Sequence, residues 1–197
     1  MRYPRPVATL AALVLAASIA HAQSPIRVRG TIVAIDANTM TVKSRDGRDL
    51  KLQLADPLTV AVAKAARFED IKEGDYLGAT TEKRPDGSNV AVELHYIPPT
   101  ASEGQSASDL LPGSTMTNAN VASKVTATGA HELTLQYKNG SHRIMVPDGT
   151  PIVRSVPGTR ADLMPGEYVF TTAQSGGDGA LTATRIQVSK DGVRPPQ

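Results

Sequence analysis

The side chains in this sequence that could do chemistry are few and far apart. Beyond the first 22 residues there are three histidines, His95, His131 and His142, and the chain has no cysteine. His95 stands two residues from Glu93, which puts both on one face of a strand. His131 adjoins Glu132 in an expected turn, and His142 opens an expected strand. No two of them have the spacing of a metal-ligand pair, and no thiolate is available to help. Met40, Met116, Met145 and Met164 are dispersed, unlike the clustered thioethers of a soft copper site; Met40 and Met145 fall on strands and read as core. A metal-handling protein would therefore have to gather His95, His131 and His142 from distant parts of the chain. Covalent catalysis has no better footing. The chain lacks a Gly-x-Ser-x-Gly elbow. Ser114 follows Pro112-Gly113 and reads as a hydroxyl satisfying a turn. Glu69 and Asp70 sit among Lys64, Arg67 and Lys72, a solvated face. The expectation is a protein that is not an enzyme and carries no cofactor.

Composition narrows the partners. Arg2 and Arg5 precede an apolar run from Val7 to Ala17, and Ala20-His21-Ala22 has small residues around a cleavage point. This predicts a secretory signal peptide over residues 1–22 and a periplasmic or secreted mature chain. The run is too short to cross a bilayer, and no later stretch approaches the ~20 apolar residues that a helical span needs. The formal charge is +2, from 21 Lys+Arg and 19 Asp+Glu, and removal of Arg2 and Arg5 leaves 19 against 19. A neutral chain lacks the clustered cations that hold phosphates, so nucleic acid is not an expected partner. With no cysteine, no disulfide staples the fold.

The elements that must position any site are strands, and they recur. Asp162-Leu163-Met164-Pro165-Gly166-Glu167-Tyr168-Val169-Phe170-Thr171-Thr172 echoes Asp70-Ile71-Lys72-Glu73-Gly74-Asp75-Tyr76-Leu77-Gly78-Ala79-Thr80 at an offset of 92 residues. Asp86-Gly87 and Ala91 recur at the same offset as Asp178-Gly179 and Ala183. A fixed offset over many positions indicates one structural unit present twice. Within each echo a Gly-centred turn launches an alternating strand, and an Asp-Gly pair then turns the chain into a last strand. The first unit opens with Ile26 to Ile35, Thr39 to Ser44, and Leu50, Leu52 and Leu54 ending at Asp56-Pro57. Val60 to Phe68, rich in alanine and free of Gly and Pro, predicts a short helix. The second unit repeats the strands at 121–127, 132–137, 141–146, 168–173 and 180–188, with a loop over 151–160 around Pro157-Gly158. Three strands, a short helix and two strands is the order of an OB-type barrel.

The fold expected is all-β: two tandem, small, five-stranded OB-like barrels over residues 26–97 and 121–189. A linker over 98–120 joins them and a disordered tail covers 190–197. Each unit, of about 70 residues, is marginal alone, so the two are expected to pack together or to dimerise. Tyr76, Tyr96, Tyr137, Tyr168, Phe68 and Phe170 read mostly as core. The linker starts as a flexible composition through Ser108, but Leu110, Leu111 and Met116 are out of place in a solvated segment. Its second half is expected to dock on a barrel. Leu110, Leu111, Ser114, Thr115, Met116, Thr117 and Asn118 form the candidate surface for a ligand or partner.

Several of these stretches resemble DUF5666, an exported bacterial β-domain family predicted to be OB-like. They are Gly30-Thr31-Ile32-Val33, Thr39-Met40-Thr41-Val42, Asp70 with Gly74-Asp75-Tyr76, and Asp86-Gly87 with Ala91. Leu111-Pro112-Gly113-Ser114-Thr115-Met116-Thr117-Asn118-Ala119 is similar to a segment of a subgroup with two such domains. That subgroup carries histidine and tryptophan before the Asp-Leu pair, where this chain has Gln105-Ser106-Ala107-Ser108. The resemblance implies an envelope location and an OB-like fold, and implies no chemistry. The combined expectation is a binding or adaptor module whose partner is another envelope protein. The alternative is a periplasmic metal-handling protein with a histidine site between the two units.

Overall fold

A computed structural model describes residues 25–127, 130–176 and 179–196. The expected signal peptide and Asp178 of the second Asp-Gly turn lie outside the described residues. The fold is all-β. Its strands are β1 (Ile26–Ile35), β2 (Thr39–Ser44), β3 (Asp49–Ala65), β4 (Tyr76–Lys83), β5 (Asn89–Tyr96), β6 (Gly104–Ala107), β7 (Thr115–Ala127), β8 (Ala130–Tyr137), β9 (Gly140–Val146), β10 (Ile152–Pro157), β11 (Tyr168–Ser175) and β12 (Leu181–Val188). The helical turns among the described residues are two 3-10 turns, Phe68–Asp70 and Arg160–Asp162, and no helix there is long and apolar enough to cross a membrane.

Hydrogen bonding joins strands from opposite halves of the chain. β1 pairs with β2 and β11, β2 with β3, β11 with β12, and β12 returns to β3 in parallel, closing a five-stranded barrel. Thus the first three strands are completed by the last two. The complementary set, β4, β5, β7, β8 and β9, forms a second ring: β4 pairs with β5 and β7, β8 with β7 and β9, and Val90 of β5 meets Met145 of β9. The bounds expected for two contiguous units, 26–97 and 121–189, therefore do not coincide with the hydrogen-bonded groups. β10 bridges the rings, antiparallel to β3 and parallel to β5.

The echoed stretch explains how the halves are stitched. Asp70 accepts from the backbone N–H of Arg67 at 3.0 Å and Asp162 from that of Thr159 at 2.9 Å, each capping its 3-10 turn. Gly74 and Gly166 then take φ of +87° and +95°, a left-handed conformation that costs glycine nothing. Their N–H groups donate across the molecule, Gly74 to Val121 of β7 and Gly166 to Ile32 of β1, both at 2.8 Å. β4 and β11, β5 and β12, and the two 3-10 turns each begin and end 92 residues apart.

Each ring encloses a core. Val28, Ile32, Met40, Val42, Leu52, Val169 and Ile186 fill the first, and Leu77, Leu94, Val121, Leu133, Leu135 and Ile144 the second, all buried. Sealing a side chain of this size from water contributes about 1.5–3 kcal/mol.

Six expectations are corrected. Val60 to Ala65 is strand rather than helix. It lies between β12 and β10 (Val60 opposite Ile186, Ala63 opposite Ser155), hydrogen-bonded along both edges, and Val60, Ala61, Val62 and Ala63 are all buried. A two-sided ladder outweighs the modest helix preference of alanine. The expected loop over 151–160 contains β10, and the expected linker contains β6 and the start of β7. The tail is ordered as far as Pro196, with Lys190 bridged to Val193 and both Pro195 and Pro196 buried. Met145 is 41 % exposed because its neighbours Ile144 and Val146 take the inner face of β9. Of the six aromatic rings among the described residues Phe68 is buried, Tyr96 and Tyr137 are half-buried against the second core, and Tyr76, Tyr168 and Phe170 are half-buried on outer faces.

Candidate functional site

The residues nominated from the linker fall into two groups. Ser114, Thr115, Met116, Thr117 and Asn118 are occupied in holding the segment down. The Ser114 hydroxyl donates to the Leu111 carbonyl at 2.7 Å and accepts from the Leu111 N–H at 3.3 Å, a closed turn. Thr115 lies in the ladder between Thr81 and Ala107. The Met116 sulfur accepts from the Thr80 hydroxyl at 3.9 Å, and the Asn118 amide donates to the Ser102 carbonyl at 2.9 Å. Thr117 is fully buried, and its hydroxyl reaches His142 Nδ1 at 2.9 Å. The Gln105 amide nitrogen reaches the same Nδ1 at 2.8 Å. Burial lowers the pKa of this imidazole below the usual histidine value.

Leu110 is different. It lines a cavity of about 620 Å³ together with Ile152 and Val153 of β10, Tyr168 of β11, and Val193 and Arg194 beyond β12. Arg45 and the buried Glu93 also reach this cavity. The residue before Leu110 fixes it in place. Asp109 takes a two-pronged hydrogen bond from Arg29, at 2.9 and 3.0 Å, and an ion pair from Arg27 at 3.1 Å. The Arg29 contact, reinforced by Arg27, holds the Asp109 carboxyl far below the ordinary carboxylate range. The Arg29 guanidinium also lies over the Phe170 ring, 4.9 Å from its centre.

The three histidines are not brought together. His142 is held by Thr117 and Gln105 inside the second ring. His131 stacks on Phe68 with ring centres 4.3 Å apart and stands 3.3 Å from Asp148. Leu135, two strand steps from His131 through Leu133, is the residue opposite His142, which separates those two by roughly 13 Å of strand at about 3.3 Å per residue. His95 lies on β5 over Gly78, where a Cβ would come within 2.5 Å of its Nε2, and its Nδ1 is 3.5 Å from Glu93. Among the described residues no group of three or more His, Cys, Asp or Glu is placed to hold a metal.

Sequence reasoning missed the outer aromatic faces. Arg29 over Phe170, Lys124 over Phe68, Arg154 over Tyr96 and Arg194 over Tyr168 are four cation–ring contacts. The alternation of β11 does show that Tyr168 and Phe170 share a face, but not that this face points outward. No protein-family model, no curated protein and no solved structure matches this chain.

Proposed function

We propose that this chain is a non-enzymatic binding module of the exported bacterial cell envelope, made of a duplicated OB-like unit whose copies have exchanged their last two strands. The observation that carries the reading is the cavity of about 620 Å³ walled by Leu110, β10 and Tyr168. It has the size and apolar lining of a ligand or side-chain receptor, and it is built at the junction where the two halves meet. Its wall includes a segment pinned by a near-buried arginine, since the Arg29 side chain is only 10 % exposed. The 92-residue recurrence and the DUF5666-like stretches support duplication and an envelope setting. The partner is another envelope protein, and the histidines serve packing rather than metal.

Affinity capture with residues 23–197 from an envelope extract tests the reading, with Leu110→Asp as the control and parallel runs with a chelator. The expected outcome is one dominant protein captured by the wild type, lost with Leu110→Asp and unaffected by chelator. Capture abolished by chelator, or untouched by Leu110→Asp, would contradict it.

A further inference from the structure

Beyond β12 the chain turns back on itself. Lys190 and Val193 exchange backbone hydrogen bonds of 3.1 and 2.9 Å, and Lys190 Nζ anchors the turn on Asp162 at 2.7 Å. Arg194-Pro195-Pro196 then leaves in neither helix nor strand. Proline fixes φ near −65° and drives the residue before it out of the helical region. Arg194 and Pro195 are therefore extended, and the tripeptide is set as a polyproline rod by its covalent structure.

A solvated rod needs no cover, and proline is mostly a surface residue, yet Pro195 and Pro196 are buried. Arg194 lies over the Tyr168 ring at 4.8 Å from its centre. Pro196 sits in a crevice of about 320 Å³ with Phe170 and Gln187 on one wall and His95 and Tyr96 on the other. Phe170 and Gln187 belong to the first strand ring and His95 and Tyr96 to the second, and Tyr168, beneath Arg194, stands two residues from Phe170 on the same face of β11. Rigid rings spaced along a groove, with a cation stacked at one end, are the features by which proline-rich segments are recognised.

We propose that this crevice is a binding site for extended, proline-rich, arginine-bearing peptide segments, and that Arg194-Pro195-Pro196 is its intramolecular occupant. The inference rests on the reading of the chain as a binding module and gives its partner a chemistry. A partner segment of the same kind competes with the chain's own rod, and being set by its prolines it loses little conformational freedom on binding.

The test uses the full mature chain and a fluorescein-labelled octapeptide with the sequence Lys190 to Gln197, read by anisotropy. Pro195→Gly with Pro196→Gly loosens the internal rod. This variant should bind the probe at least about tenfold more tightly than the wild type, whose groove is occupied at the high effective concentration of a tethered ligand. A probe with both prolines replaced by glycine should not bind, and Tyr168→Ala added to the variant should abolish binding. A folded variant that ignores the probe overturns the proposal. A variant that fails to fold does so too, because the segment would then be structural. Probe binding that appears only as the chain dimerises would assign the groove to a second copy instead. Failure of the probe with envelope capture intact removes only the peptide chemistry, whereas probe binding without capture removes the envelope partner and leaves the site.

Discussion

The two strand rings are built to one pattern and closed differently. In the first, β3 runs unbroken from Asp49 to Ala65 and β12 follows it from Leu181 opposite Leu52 to Val188 opposite Val62. In the second, the strand at the equivalent place is interrupted at Pro147-Asp148-Gly149-Thr150-Pro151, leaving β9 and β10 as separate pieces. β5 consequently meets β9 at one pair, Val90 with Met145, and β10 at two, Ile152 with Leu94 and Val153 with His95. Proline cannot donate to a ladder: the single Pro57 of β3 marks a register shift against β12, whereas Pro147 and Pro151 bracket the full break between β9 and β10. The gain is positional. Freed from a continuous seam, β10 lines the Leu110 cavity, and the segment between its flanking strands contributes Thr150 and Pro151 to the same wall. The cavity is walled from both rings, by Ala65 of β3 and Tyr168 of β11 on the first side and Glu93 of β5 on the second, with β10 between them.

The comparison can be broken most forcefully at equivalent core positions. Ile186 opposite Val60 and Leu94 opposite Ile152 are both fully buried. Ile186→Ala and Leu94→Ala should each cost about 2–5 kcal/mol in urea unfolding. Because each ring draws strands from both halves, both variants should still unfold in one transition; two separated transitions would mean that the rings are independent. A smaller effect is expected at Asp109. Asp109→Asn keeps the shape and loses the charge that Arg27 and Arg29 face. With the carboxylate 47 % exposed, the loss should be near 1 kcal/mol, accompanied by faster proteolysis between residues 98 and 114.

His142 sharpens the contrast through pH, since it lies in the second ring only. Burial lowers its folded pKa from 6.5. The unfolded chain therefore takes up the proton first, and the stability contributed by a neutral His142 is full above about pH 6.5 and declines as pH falls below it. Thermal unfolding should show that decline between pH 7 and 5 in the wild type and less of it in His142→Gln. Least of all should follow from Met145→Ala, at an exposed position of β9, where a change within about 0.5 kcal/mol is expected.

Much of this was legible residue by residue. Alternation marked the inner face of β2, where Met40 and Val42 are buried; on β9 and β11 it showed which residues share a face but pointed Met145, Tyr168 and Phe170 the wrong way, while the glycines at 74 and 166 marked left-handed turns and Pro112-Gly113-Ser114 a closed turn that the structure contains. What could not be read was which β11 belongs to which β1. β4 and β11 carry the same preceding turn and the same alternation, so side-chain pattern alone does not say which of them lies beside β1. Val60 to Ala65 was misread for a related reason: alanine suits a helix locally, and only the arrival of β10 and β12 on its two sides makes small residues the ones that fit a strand. Leu110 stood out by being apolar in a polar stretch, while the outer-facing Tyr168 and Phe170 gave no such signal, because an aromatic in a strand looks like core until the inner face of that strand is fixed.

The exchange of strands is the central claim, and disulfide trapping tests it directly because the chain has no cysteine of its own. Arg27 of β1 lies opposite Thr172 of β11; in contiguous units it would lie opposite the equivalent residue, Thr80. Arg27→Cys with Thr172→Cys should oxidise to an intramolecular disulfide, seen as a faster-migrating monomer on a non-reducing gel, while Arg27→Cys with Thr80→Cys should stay reduced. The reverse result, with the Thr80 pair closing within one chain and the Thr172 pair open, would contradict the account.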